Sequence, residues 1–201
     1  MQRKSAGLTL IEMLVILLII MTLVLVALPP LYNAGVRAQI ARAQQDMQTV
    51  ESALEWYYLD HKKYPESSGA DLMYSAAGKN GRGLARLVAL KYLEIVPEDR
   101  FKDVTVPIDG PLVYQFGSSG VKTTTTDGKR HRVPAWILVS PGPDKVTDSQ
   151  KIQQFPFGTV AWQYDPVNGL HSEGDIIRLG GDWQLGDWYL DGHSVKGPES
   201  N

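Results

Sequence analysis

The amino-acid sequence predicts an α+β fold in which one long N-terminal helix, a membrane half followed by an amphipathic half, packs on a small antiparallel β-sheet. Three observations carry this expectation. An apolar run fills Leu8 to Leu28, a stripe at helical spacing follows from Val36 to Tyr57, and beyond Phe101 short β-branched and aromatic runs lie between Gly, Pro, Asn and Asp.

Whole-chain averages hide this division. The 201 residues are 43% hydrophobic and 21% charged with a net charge of -2, too apolar for a disordered chain and too balanced for a basic nucleic-acid binder. Cysteine is absent, which excludes a disulfide scaffold, a Cys-based zinc or iron–sulfur site and a cysteine nucleophile.

The helix begins with LTLIEMLVILLIIMTLVLVAL, where only Thr9, Glu12 and Thr22 interrupt the apolar residues. At about 1.5 Å per residue it spans a hydrocarbon core of roughly 30 Å. A buried helix of a soluble core usually keeps a polar face, whereas this run is apolar all round. Arg3 and Lys4 are the charges that precede it, so the positive-inside tendency leaves residues 1–7 in the cytoplasm and places everything after Pro29 on the far side. A cleaved secretory signal fits poorly. The run is longer than an h-region of about 7–15 residues and ends in Val26-Ala27-Leu28-Pro29-Pro30 without an A-x-A site. Ser5, Ala6 and Gly7 stand before the run instead, so a peptidase cutting there leaves the helix attached.

Glu12 is the one ionisable residue in the run. A carboxylate in hydrocarbon costs about 2.5–3.5 kcal/mol on insertion scales, and no basic residue of the run can pair with it. Two readings follow: the side chain snorkels to the headgroups, or it pairs with an α-amine exposed at Leu8 of a neighbouring copy after cleavage behind Gly7, setting the register of assembly. The segment from Lys4-Ser5-Ala6-Gly7 through Leu8-Thr9-Leu10-Ile11-Glu12-Met13-Leu14-Val15 closely resembles the class III leader and methylation motif of type IV pilins and type II secretion pseudopilins. The resemblance implies the type IV pilin-like fold, cleavage between Gly7 and Leu8 by a prepilin peptidase, N-methylation of Leu8, and Glu12 as the residue steering insertion into a filament. Position 8 is Leu where the family usually has Phe.

Pro29-Pro30 predicts a bend rather than a stop. Beyond it Val36, Ile40, Ala43, Met47, Val50, Leu54 and Tyr57 recur at spacings of four and three, with Arg37, Arg42, Gln44, Gln45, Gln48, Glu51, Ser52 and Glu55 on the other faces. About three heptads and a small Ala43 favour docking on the chain's own sheet over a free coiled coil. The helix is expected to end near Lys63-Tyr64-Pro65. The run from Ala53 to Pro65 resembles the end of the long helix in major pseudopilins, and Leu84 to Leu93 reads as a short amphipathic helix.

Strands are predicted at 111–116, 133–140, 159–164 and 175–179, with a hairpin turn at Asp127-Gly128. Two loops, 140–149 and 164–175, are rich in oxygen donors together with Gly and Pro. On chemistry alone these residues make turns, or supply the roughly six to eight oxygens that calcium takes. Ser140-Pro-Gly-Pro-Asp144 resembles the S-x-G-x-D segment of the major pseudopilin's calcium loop, and Asp175-Ile176 resembles the aspartate that closes it. The resemblance implies calcium held by Ser140, Asp144 and Asp175, with Asp148, Asp165, Asn168 and Ser172 as further candidates.

Catalytic motifs are missing: there is no G-x-S-x-G, H-E-x-x-H or G-x-G-x-x-G, and His61, His131, His171 and His193 are scattered. The five tryptophans are expected to pack the sheet, with Trp183 and Trp188 as an alternative contact patch. The organisation expected is a leader (1–7), a transmembrane and assembly helix (8–28), its amphipathic continuation (29–64), a periplasmic head with calcium-type loops (65–181) and a C-terminal extension (182–201). The resemblance implies a non-enzymatic subunit of the type II secretion pseudopilus that crosses the bacterial inner membrane once, N-terminus in the cytoplasm. Its implied partners are further copies of itself, the prepilin peptidase, minor pseudopilins and the inner-membrane secretion platform, and no nucleic acid. A type IV pilin for adhesion or motility, and a signal-anchored periplasmic binding domain, are the alternatives.

Overall fold

The computed structural model describes residues 9–67, 83–101, 113–118, 123–124, 130–131, 133–170 and 172–197. The chain divides into two compact units, Met1–Ala38 and Gln39–Asn201.

Helix α1 runs from Leu10 to His61, and Pro29-Pro30 lies within it without ending it. In the first unit the large apolar side chains from Leu10 to Leu28 are exposed. The apolar stretch is long enough to cross a membrane, and none of it is buried inside the protein. The bland reading of a core helix therefore has no support here. The helix ends where Lys62 turns into the left-handed region at φ 54°, close to the expected position.

In the second unit the predicted stripe is the buried one. Ala43, Met47, Val50, Leu54 and Tyr57 join one core with Trp136, Leu138, Tyr114, Phe116 and Ile176, and Leu87 of α2 (Ala85–Ala89) closes it. Removing side chains such as Met47, Val50 and Leu54 from water stabilises the fold by about 1.5–3 kcal/mol each. The sheet against this helix face has the order β1 (Gln115–Ser118), β4 (Ala135–Ser140), β6 (Ile176–Gly181), all antiparallel. A separate pair, β2 (Thr123–Thr124) and β3 (Arg130–His131), flanks the predicted Asp127-Gly128 turn, which itself lies outside the described residues.

Strand β4 is buried along its whole length, as expected for a central strand covered on both faces. Trp136 and Leu138 belong to the helix-side core, whereas Ala135, Ile137 and Val139 belong to a second core with Ile152, Phe155, Ala161 and Trp188. Gly180 lets Trp136 lie flat against β6: a Cβ there would sit 2.3 Å from the indole ring.

The second core is covered by a sheet of order β5 (Phe157–Ala161), β7 (Asp187–Leu190), β8 (His193–Lys196), in which β5 and β7 run parallel and β7 and β8 antiparallel. Residues 187–196, which gave no strand signal in the sequence, thus form a hairpin. Trp188 packs edge-on against Phe155 and Trp183, with centroids 5.1 and 5.9 Å away, and donates its indole N–H to the Trp183 carbonyl at 3.1 Å. It is a core residue rather than part of a surface patch.

Replacing Trp188 with Ala should therefore destabilise the protein by about 3–5 kcal/mol. The exposed Trp56 serves as the control, since Trp56→Ala should change stability by about 0.5 kcal/mol or less. Chemical denaturation of both variants checks the contrast.

Candidate functional site

Two groups of predicted residues are placed by different forces. The first is the start of α1. Gly7 and Leu8 lie outside the described residues, whereas Thr9 and Glu12 are described. Thr9 is the cap of the helix, its carbonyl accepting the first helical N–H, from Met13, at 3.2 Å. Glu12 Oε2 accepts from the Thr9 backbone N–H at 2.8 Å and from its hydroxyl at 2.6 Å, and the Glu12 N–H reaches Thr9 Oγ1 at 3.3 Å. This is a capping box: two amides that have no helical partner are satisfied reciprocally, and the carboxylate sits at the positive end of the helix dipole.

Sequence reasoning looked for a cation to pair with Glu12 and missed this partner three residues before it. The signal was present, since T-x-x-E ahead of an apolar run is the sequence form of the box. Thr22 is settled similarly, its hydroxyl donating to the Ile19 carbonyl at 2.8 Å. The polar side chains of the apolar helix therefore meet hydrogen-bond partners within their own chain.

The second group lies in the loops. Ser140 ends β4 opposite Ile176, so it stands beside Asp175 at one end of the β4–β6 ladder. Its hydroxyl donates to Asp99 Oδ1 at 2.7 Å, and that same oxygen accepts the Phe101 N–H at 2.9 Å. The Asp175 side chain is fully buried and accepts from the Ser149 N–H at 2.7 Å and the Asp148 N–H at 3.3 Å. Asp148 returns a bond in the opposite direction, its Oδ2 accepting from the Gly174 N–H at 2.7 Å.

The other predicted oxygen donors make turns. Asp144 accepts from the Val146 N–H at 3.1 Å, and Asp165 accepts from the Val167 N–H at 2.9 Å to cap the short 3-10 turn Pro166–Asn168. Ser172 donates to the Asp165 carbonyl at 2.9 Å. Asp165 and Asn168 line an open cleft of about 620 Å³ with Asp148, Glu173, Gly174, Asp191 and Trp162, apart from Ser140.

The structure therefore brings Ser140 and Asp175 to one place, and Asp148 with them, but the Ser140 hydroxyl donates to Asp99 and the Asp175 and Asp148 oxygens accept backbone amides. Among the described residues no group of three or more His, Asp or Glu side chains is placed to hold a metal ion. The carboxylates gathered here accept amide and hydroxyl hydrogens and do not converge as a set of three or more.

Burial acts on the charge of these carboxyls. Desolvation raises the Asp99 carboxyl from its ordinary value to about 7, against the lowering effect of the Phe101 amide and the Ser140 hydroxyl. Desolvation likewise raises Asp175 to about 6, opposed by its bonds to Ser149 and Asp148. The two carboxylates repel each other, and Asp46 adds to the effect on Asp99. Sequence reasoning gave Asp99 no role, because nothing in its neighbours signals that it is partly buried beside Ser140.

A long apolar helix whose amphipathic continuation docks on an antiparallel sheet defines the pilin-like class. The family model described as "Type II secretion system (T2SS), protein G" matches residues 31–126. A type IV major pilin protein PilE1 of Neisseria gonorrhoeae is 33% identical over 179 residues, covering 89% of this chain and 73% of that protein. The type II secretion system core protein G of Dickeya chrysanthemi is 34% identical over 65 residues, 32% of this chain and 42% of that protein. No solved structure matches the chain.

The chain belongs to the type IV pilin-like superfamily, and just under half of it matches the protein G model of the type II secretion system. The proteins it resembles are structural pilin-like subunits. The family and the exposed apolar helix together make this a membrane-anchored protein facing the periplasm.

The raised carboxyls set a pH dependence. A group that holds its proton more tightly when folded makes stability fall as pH rises through its folded value, so these two terms are fully favourable below about pH 4 and are lost between about pH 4 and 7. The melting temperature should accordingly be higher at pH 5 than at pH 8. Asp99→Asn, which cannot ionise, should flatten that slope when melts are recorded across the range.

Proposed function

We propose that this chain is a structural subunit of the type II secretion pseudopilus. Prepilin peptidase cuts between Gly7 and Leu8, Leu8 is N-methylated, and the mature chain polymerises through its apolar helix into a filament that supports secretion across the outer membrane. Minor pseudopilins and the inner-membrane platform are its partners in this reading. The observation that carries it is the helix from Leu10 to Leu28, exposed along its length and apolar except where Glu12 and Thr22 stand. Such a surface needs lipid before assembly and neighbouring helices after it.

Glu12 has a defined part in this scheme. While the subunit is stored in the membrane, its carboxylate rests on Thr9, which lowers the cost of carrying a charge near hydrocarbon. Cleavage creates an α-amine one residue away from Thr9. In the filament a neighbour's amine offers the carboxylate an ionic partner in place of the hydrogen bond, and the exchange fixes the stagger between subunits.

A second reading, a type IV pilin used for adhesion or motility, is supported by the long alignment to the Neisseria gonorrhoeae pilin. A deletion strain separates the two: loss of secreted proteins with surface pili unchanged supports the pseudopilin, and the reverse supports the pilin.

Mass analysis of the mature N-terminus should find a chain that starts at Leu8 and carries one methyl group. A retained Met1, or a cut after Leu28, would sink the processing scheme. Replacing Glu12 with Ala should abolish filament formation while the protein still enters the membrane, because insertion is easier without the charge. Membrane fractionation and chemical cross-linking read the two effects separately.

A further inference from the structure

The loops that the resemblance assigns to calcium contain a closed set of hydrogen bonds that ties them together. We propose that in this chain a carboxylate clamp centred on Asp175 takes the place of the cation, so that the loops are locked without metal.

The clamp joins loop 141–151 to the segment 162–175. Asp175, fully buried, draws in the Ser149 and Asp148 amides. Asp148 reaches back to the amide of Gly174, the residue before Asp175. Ser149 adds a third strut, its Oγ accepting from the Trp162 N–H at 3.2 Å. Asp175 is also fixed through its backbone, donating its N–H to the Trp162 carbonyl at 2.7 Å and accepting from the Tyr164 N–H at 2.8 Å.

Each bond satisfies an amide in an irregular segment. Both carboxylate oxygens of Asp175 and one of Asp148 each accept a backbone amide. Gly174 makes the return bond possible: it holds φ at +101°, and a Cβ there would stand 2.7 Å from the Gln163 carbonyl oxygen.

The arrangement extends to the C-terminal hairpin, because Asp191 between β7 and β8 accepts from the Gln163 N–H at 2.7 Å. A cation would gather oxygens and repel amides. This network does the opposite, using side-chain oxygens to gather amides. The interval between Asp144 and Asp175 is part of the same arrangement. That interval carries β5 and the segment through Gln163 that the clamp and Asp191 both hold.

The test uses the full-length protein in detergent micelles, melted with a chelator present and again with millimolar calcium chloride. The two midpoints should agree within about 1 °C, and Asp175→Ala should lower both by about 5 °C or more through the amides it leaves unpaired. The pair Asp148→Asn and Asp148→Ala discriminates further if Asp175→Ala fails to fold. Asn keeps an oxygen acceptor for the Gly174 N–H but loses the charge, so Asp148→Asn should keep the midpoint within about 2 °C while Asp148→Ala lowers it. A rise of several degrees with calcium that vanishes in Asp148→Asn would overturn the clamp in favour of a cation site. An Asp148→Ala midpoint equal to that of the parent would overturn it as well.

Discussion

The head of this protein depends on one seam, the packing of the amphipathic part of α1 against β4. Val50 and Leu54 are fully buried there, and the small Ala43 fits a close approach. With the helix on one face, β4 must be covered on the other, because Ile137 and Val139 point away from Trp136 and Leu138 by strand alternation. The sheet containing β7 and β8 provides that cover. A second core, and the burial of Trp188, thus follow from the position of a single strand.

Polar groups line the edges of the seam. Glu55 accepts from the Tyr64 hydroxyl at 2.8 Å and the Trp136 indole at 3.3 Å, Glu51 pairs with Arg178 of β6, and Tyr92 donates to Asp60 at 2.5 Å. The ion pair is partly exposed and adds about 0–1 kcal/mol at most. Its value lies in direction, because Glu51–Arg178 and Glu55–Trp136 tie the helix to β6 and β4 while the apolar stripe supplies the free energy.

The N-terminal half of the helix meets a different constraint. Its apolar surface needs a non-aqueous surrounding, and its backbone is satisfied by helical bonds except at the first turn and at the Leu25 and Val26 carbonyls, which Pro29 and Pro30 leave without a helical donor. The Thr9–Glu12 box addresses that turn. The carboxylate that looked unpaired in the sequence is therefore also a structural cap, so any role in assembly must compete with the bonds it already makes.

Most of the helix was legible because its information is local. The apolar run, the stripe at spacings of three and four and the T-x-x-E start can be read from neighbours in sequence, and the central strand shows as an unbroken apolar run at Ala135 to Val139. The residues 187–196 were not legible. Asp187 to Leu190 has only Trp188 and Leu190 turned toward the second core, and the parallel pairing with β5 is set by contacts across the fold. The loops show the same limit. Composition placed oxygen-rich residues at 140–149 and 164–175, which suits turns, amide acceptors and calcium ligands equally. Only the tertiary structure shows which backbone amides meet these carboxylates, because that depends on which backbone groups are brought to them. The sequence by itself determined a membrane-length helix continuing into a helix that docks on a sheet. The fold decided that Asp175 faces amides and that the C-terminal hairpin belongs to the core.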